Sequence, residues 1–235
     1  MLVDEDLNIR FSFFDVEDRE LLDVIVHDLR EPIRSIKSFG NFLQEDYEEK
    51  LNSKGKMYLH RIISSAERLD EMLTGLYKFY KIGDEKEERQ EIDLNEIVKE
   101  IIIEEEEFLE ERNGLIKSGL LPIIKSKKGW MKELFCHLIK NGMIYNKSSQ
   151  PIVEIACKME GNNYIFTFKD NGIPIKKKDY GRIFKIFERL HTREEYTGIG
   201  MGLAICKKIV DLHKGKIWVE GGSNGNTFFI AIPIE

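Results

Sequence analysis

The sequence predicts an α+β protein in two parts. Residues 18–83 form a helical hairpin, and residues 92–235 form a domain with helices on one side of a mainly antiparallel sheet. Three observations carry this reading. Leu59, Ile62, Ala66, Leu69, Leu73, Leu76 and Tyr80 step alternately by three and four, a heptad seam. Leu22, Ile25, Leu29, Ile33, Ile36, Phe39 and Leu43 mark one face of an earlier helix. Residues 152–159 and 164–169 alternate in polarity around Glu160-Gly161-Asn162-Asn163, which is hairpin chemistry.

Composition narrows the class of protein. With 42% hydrophobic and 33% charged residues, the chain of 235 residues is a folded one able to bury a core in each part. A net charge of -6 and a pI near 5.6 supply no general attraction to nucleic acid. Much of the acidity is local, because residues 84–112 carry an excess of ten negative charges and leave the remainder slightly basic. Cys136, Cys157 and Cys206 fit no metal spacing and read as reduced, buried thiols of a cytoplasmic protein. No apolar run approaches the roughly 20 residues of a membrane span, and no signal-peptide pattern opens the chain.

In order along the chain, residues 1–17 are a short mixed segment bearing Phe11, Phe13 and Phe14. The first helix follows, with His27 about 200° round from both Ile25 and Leu29 and so pointing away from the apolar stripe. Residues 46–53 are polar and link it to the second helix. One such hairpin leaves apolar surface on both helices, so two copies are expected to pair as a four-helix bundle. A two-helix cap folded onto the following domain is the competing arrangement. Residues 84–91 read as a charged linker, and Asp93-x-x-Glu96 as a capping box opening a helix that stops at Asn113-Gly114. Strands are expected at 115–117 and 121–124, a helix at 130–145, the hairpin, a helix at 202–213, and strands at 216–220 and 227–232.

Chemistry-bearing residues cluster in four places. His27 stands beside Asp28, and Pro32 interrupts the hydrogen-bond ladder one turn on. Asp170-Asn171-Gly172 ends a strand in a carboxylate able to accept from an exocyclic amine such as that of adenine, although these residues form turns in any protein. Gly198, Gly200 and Gly202 alternate directly before an apolar helix, so the backbone can curl close to an anion at a helix N-terminus. This spacing is neither the dinucleotide fingerprint nor the P-loop. His137 and Asn141 share a helix face with Tyr145 one turn further, and an amide oxygen is a ligand type that Mg²⁺ accepts.

Taken together with the stretch from Phe184 to His191, these motifs resemble the sensor histidine kinases of two-component systems. The resemblance covers nearly the whole chain from residue 18, and residues 186–220 look most like the phytochrome-related branch. It implies a dimerisation and histidine-phosphotransfer hairpin followed by an α/β-sandwich ATP-binding domain of the Bergerat (GHKL) type. By resemblance, His27 is the phospho-acceptor, Asp28 its general base, and Asn141 the holder of ATP-bound Mg²⁺. Asp170 reads the adenine amine, Tyr145 flanks the base, and Gly172 shapes the adenine turn. Gly198, Gly200 and Gly202 surround the phosphates, Thr227 is the adenine-side threonine, and residues 190–197 form a lid. The implied activity is autophosphorylation on His27 and transfer to an aspartate of a response regulator by a cytoplasmic homodimer.

The chain departs from the family pattern at three positions near the nucleotide. His137 stands for the usual asparagine, Ile144 for a basic residue and Pro174 for glycine. These departures motivate an alternative, a non-catalytic scaffold or phosphotransfer protein with a weakened site, and make His137 an unusual metal ligand. Glu31 stands where kinases that dephosphorylate their partners often carry Thr or Asn, so weak phosphatase activity is expected.

Overall fold

The computed structural model describes residues 16–83, 88–192, 195–196 and 198–234, with side chains in the first helix from residue 23 onward. The expectation for the N-terminal segment, Leu22 of the stripe and part of the linker therefore lie outside the described residues. The chain divides between Tyr80 and Lys81 into two compact units.

The first unit is a pair of long helices, α1 (Val16–Tyr47) and α2 (Ser53–Lys81), joined by a 3₁₀ turn over Glu48–Lys50. Helix α1 continues through Pro32 as one element, although the proline ring removes the amide that would serve the carbonyl of residue 28. Polar ties set the antiparallel register. Arg30 Nε lies 3.6 Å from Asp70 and its Nη2 donates to Thr74 Oγ1 at 3.2 Å, while Lys37 meets Glu67 at 3.6 Å. Near the turn, His60 Nε2 pairs with Glu48 at 3.0 Å. Gly40 is required for close approach, since a Cβ there would stand 2.8 Å from Ile63 Cγ1.

The expected apolar stripes hold this hairpin only in part. On α1 the buried residues are Val26, Ile33 and Gly40, whereas Ile25, Leu29, Ile36, Phe39 and Leu43 are 43–67% exposed. The α2 seam is split in the same way, with Leu59 and Ala66 buried but Ile62 and Leu69 about half exposed at 51% and 48%. Periodicity identifies which positions are apolar, but it does not say which of two neighbours each will face. One edge of each stripe closes the hairpin and the other is left on its surface.

The second unit contains β1 (Gln90–Asp93), α3 (Leu94–Glu104), α4 (Glu106–Glu111), β2 (Leu115–Ser118), β3 (Ile123–Ser126) and α5 (Lys128–Ile144). It continues with β4 (Ile152–Glu160), β5 (Asn163–Asp170), α6 (Gly202–Leu212), β6 (Lys216–Gly222) and β7 (Gly225–Pro233). The main sheet has the order β2-β4-β5-β7-β6, with β2 parallel to β4 and every other pair antiparallel. Strand β1, which takes in Gln90 and Glu91 of the expected linker, pairs with β3 as a separate two-stranded sheet. Helices α5 and α6 cover one face of the main sheet, where Phe135 meets Phe168 and Phe166 edge-on at 4.9 and 6.0 Å between ring centroids.

Two local expectations need correction. The helix expected from Asp93 to Asn113 is two helices broken at Glu105, and the capping box is only half formed. Asp93 accepts from the Asn95 amide at 2.8 Å, one position earlier than a capping box requires, while Glu96 turns outward to Lys99 at 2.7 Å. Asn95 causes the shift, because its own amide also donates to Asp93 and to the Leu121 carbonyl and so draws the carboxylate towards it. Three glutamates of this acidic stretch pair with lysines of α5. Glu100 meets Lys128 at 2.6 Å, Glu104 meets Lys132 at 2.5 Å, and Glu105 meets Lys140 at 2.7 Å, lacing α3 and α4 to α5.

Candidate functional site

In the first unit, His27 is 80% exposed and its Nδ1 lies 3.2 Å from Asp28 Oδ1. A carboxylate at Nδ1 favours the tautomer with its proton there, which leaves the Nε2 lone pair facing outward. The ring stands over a shallow groove formed by Asp23, Val26, Arg30, Glu31, Arg34 and Tyr77. Arg30 owes its place to Asp70 and Thr74, so the floor of the groove is fixed by the hairpin register.

In the second unit, Asp170 terminates β5 at 6% exposure. Its Oδ1 accepts from the amides of Gly172 at 2.8 Å and Asn226 at 3.1 Å, and from Asn226 Nδ2 at 3.2 Å. Burial pushes the carboxyl upward from its ordinary range, and these donors pull against that shift. Oδ2 carries only the longer contact to Asn226 at 3.4 Å and is the oxygen left for a ligand amine.

The surrounding backbone admits little substitution. A Cβ on Gly172 would lie 2.4 Å from the Tyr145 carbonyl, which itself accepts from Ile173 at 2.8 Å. Gly225, at φ +116°, passes so close to Asp170 that a Cβ would stand 1.9 Å from its carbonyl oxygen. The C-terminal end of α5 is therefore built into the Asp170 turn. Asn146 reinforces the junction by donating to Asn171 at 2.7 Å.

The phosphate-side expectations fall around the start of α6. Gly198 and Gly200 have φ of +118° and +76°, and a Cβ on Gly200 would press 2.6 Å from the Glu188 carbonyl. Gly202 opens α6, and Met201 before it provides no side-chain cap, so the first amides of the helix are open to an anion. His137 packs on Gly202, where a Cβ would meet its Nδ1 at 3.0 Å, and its Nε2 engages Glu133 at 3.1 Å. Asn141, one turn further along α5, has a buried amide nitrogen with no hydrogen-bond partner among the described residues.

The fold thus brings Tyr145, Asp170 and Gly172 together, and sets His137 of α5 against Gly202 of α6. Thr227 is the exception. On β7 it pairs with Lys169 of β5, and the pleat turns it to the face opposite Phe228, whereas the side chain that joins Asp170 from this strand is Asn226. Asn226 also accepts from Ile175 at 2.7 Å and donates to the Ile173 carbonyl at 3.0 Å, so it knits both ends of the turn. Sequence reasoning missed it because one position along a strand reverses the face. A second omission is an aromatic cluster in which His191 stacks on Tyr145 at 5.9 Å and Tyr196 contacts both rings at 5.1–5.2 Å.

The described residues thus combine an exposed histidine on a two-helix hairpin with an α+β domain built around a buried carboxylate and a glycine-rich helix start. Residues 17–85 match the His Kinase A (phospho-acceptor) domain, and residues 127–235 match the histidine kinase-, DNA gyrase B-, and HSP90-like ATPase family. The chain belongs to the histidine kinase family. It is 32% identical over 209 residues to phytochrome-like protein Cph1 of Synechocystis sp., and 37% identical over 217 residues to cyanobacterial phytochrome B of Nostoc sp.. Each alignment takes in 88% of this chain but 28% of the relative, so the chain spans under a third of the length of these proteins. The fold is also that of the histidine kinase ThkA in its complex with response regulator protein TrrA. The TM-score is 0.61 at 22% identity, over 93% of this chain and 64% of that one. Among the described residues no helix is long and apolar enough to cross a membrane.

Proposed function

We propose that this chain is an ATP-dependent protein-histidine kinase that phosphorylates His27 and passes the phosphoryl group to an aspartate of a response regulator. The observation that carries the proposal is the His27–Asp28 pair, an exposed imidazole whose Nδ1 is occupied and whose Nε2 is open. Nε2 attacks the γ-phosphorus of ATP, the bond from that phosphorus to the β,γ-bridging oxygen breaks, and ADP leaves. Asp28 steadies the positive charge that forms on the ring. In the second transfer an aspartate oxygen attacks the same phosphorus and the P–N bond breaks.

On this reading, residues 18–83 are the dimerisation and phosphotransfer hairpin, 84–91 the linker and 92–235 the catalytic domain. Asp170 and Gly172 receive the adenine, Tyr145 flanks it, and Gly198, Gly200 and Gly202 line the phosphates. Mg²⁺, when bound, neutralises phosphate charge, and phosphoryl transfer depends chiefly on such neutralisation and on positioning. Asn141 fits that ion, because its amide is not committed to the fold and its oxygen is of the hard type Mg²⁺ prefers. His137 fits it less well, since Glu133 and Gly202 already engage it. The half-exposed stripe of Ile25, Leu29, Ile36, Phe39 and Leu43 supports a homodimer, whose four-helix bundle would cover it. Cytoplasmic placement follows the reading of the thiols as reduced.

Incubation with Mg²⁺ and γ-labelled ATP tests the scheme. The expected product is an acid-labile, base-stable phosphoryl group that His27→Gln abolishes. Label that survives in this variant would remove His27 from the scheme, and ATP binding without label would favour a scaffold.

A further inference from the structure

His191 and Tyr196 fall in the stretch 190–197 that the resemblance makes a lid, and they cover the Tyr145 ring on which the reading above depends. Tyr145 and His191 are nearly parallel, at 27° and 5.9 Å between centroids, and Tyr196 lies 5.1 Å from Tyr145 and 5.2 Å from His191. Aromatic atoms meet at about 3.5–4.0 Å, so a base between two parallel rings needs them about 7–8 Å apart. The three rings leave no such space. Their arrangement is held in place, because the Arg189 guanidinium donates to the carbonyls of Thr192 and Tyr196, and the Tyr196 amide donates back to Thr192 at 3.2 Å.

Tyr145 is also tied to the turn that carries Asp170, through the bond from Ile173 to its carbonyl and the tight passage of Gly172. A base whose amine reaches Asp170 therefore comes up against this ring. Resting on the assignment of Asp170 and Tyr145 to the adenine, we infer that His191 and Tyr196 plug the base seat. A nucleotide has to displace them, so that empty and loaded sites exchange one set of aromatic contacts for another.

Calorimetric titration of ADP into the full chain tests this, with pyrophosphate as a probe that lacks a base. Tyr196→Ala and His191→Ala are each expected to bind ADP roughly fivefold more tightly, the factor that a ring pair of this kind contributes. Pyrophosphate binding stays unchanged, and Tyr196→Phe, which keeps the ring, restores the original ADP affinity. Equal or weaker ADP binding by both alanine variants would overturn the inference, since the rings would then be bystanders or walls of the seat. Asp170→Asn separates the two levels of argument. If that variant binds ADP as well as the parent, the assignment of the adenine is wrong and the inference falls with it; if it loses ADP while the alanine variants gain none, only the plug is wrong.

Discussion

His27 stands 80% exposed on a helix and makes one side-chain contact of note, to its sequence neighbour, whereas Asp170 is 6% exposed and accepts four hydrogen bonds, one from nearby Gly172 and three from Asn226, which the fold brings in. The contrast follows from what each has to do. A nucleophile that must meet a donor and later an acceptor has to be reachable from outside, so its surroundings are sparse. A carboxylate that reads a base needs fixed geometry and low solvent access, which close backbone packing at Gly172 and Gly225 supplies. Accessibility can be encoded by one helix; preorganisation takes several elements at once.

The comparison breaks most sharply within the hairpin. Ile63→Asp places an unpaired charge against Gly40 and is expected to cost on the order of 4 kcal/mol, melting the helices in circular dichroism. Ile62→Asp, one residue away but 51% exposed, should keep the helical signal and turn a dimer into a monomer by light scattering. If both variants melted alike, the division into inner and outer faces would be wrong.

Asp170→Asn probes the other side of the contrast. The amide keeps an oxygen for Gly172 and Asn226 but meets a ligand amine with a donor, so ADP affinity should drop roughly 100-fold, the scale of a hydrogen bond to a charged group. Stability should move the opposite way. Because burial raises this carboxyl's pKa, its contribution is fully present below the ordinary carboxyl range and is lost as pH rises through the raised value. The amide variant lacks that loss, and its thermal midpoint at neutral pH should equal or exceed the parent's. A lower midpoint would mean that the carboxylate serves the fold rather than a ligand.

The smallest effect is expected at Arg30. Arg30→Ala removes the ties to Asp70 and Thr74 and should cost about 1 kcal/mol in hairpin stability, with ADP binding untouched. A change in nucleotide affinity would show that the two units are not as independent as their separate cores suggest.

Much of this was legible in the chain itself. The two long helices, the β4–β5 hairpin and α6 lie close to where apolar periodicity placed them, and the glycine series stands at a helix start as its spacing implied. Less legible was anything decided by a neighbour distant in sequence. The shifted cap at Asp93 depends on Asn95 holding the backbone of Leu121. The pairing of β1 with β3 was unreadable because four residues are too few for a period.

By itself the sequence determined the class of fold, the exposure of His27 and the family, since these depend on local spacing and on motif order. Tertiary structure alone decided which edge of each helical stripe closes the hairpin, and that Asn226 rather than Thr227 supports Asp170. It also brought His191 and Tyr196 onto Tyr145. The physical reason is common to all three. A helical or strand period specifies directions around one element, while the partner met in each direction is fixed only when separate elements pack and every buried polar group has to find a donor or acceptor.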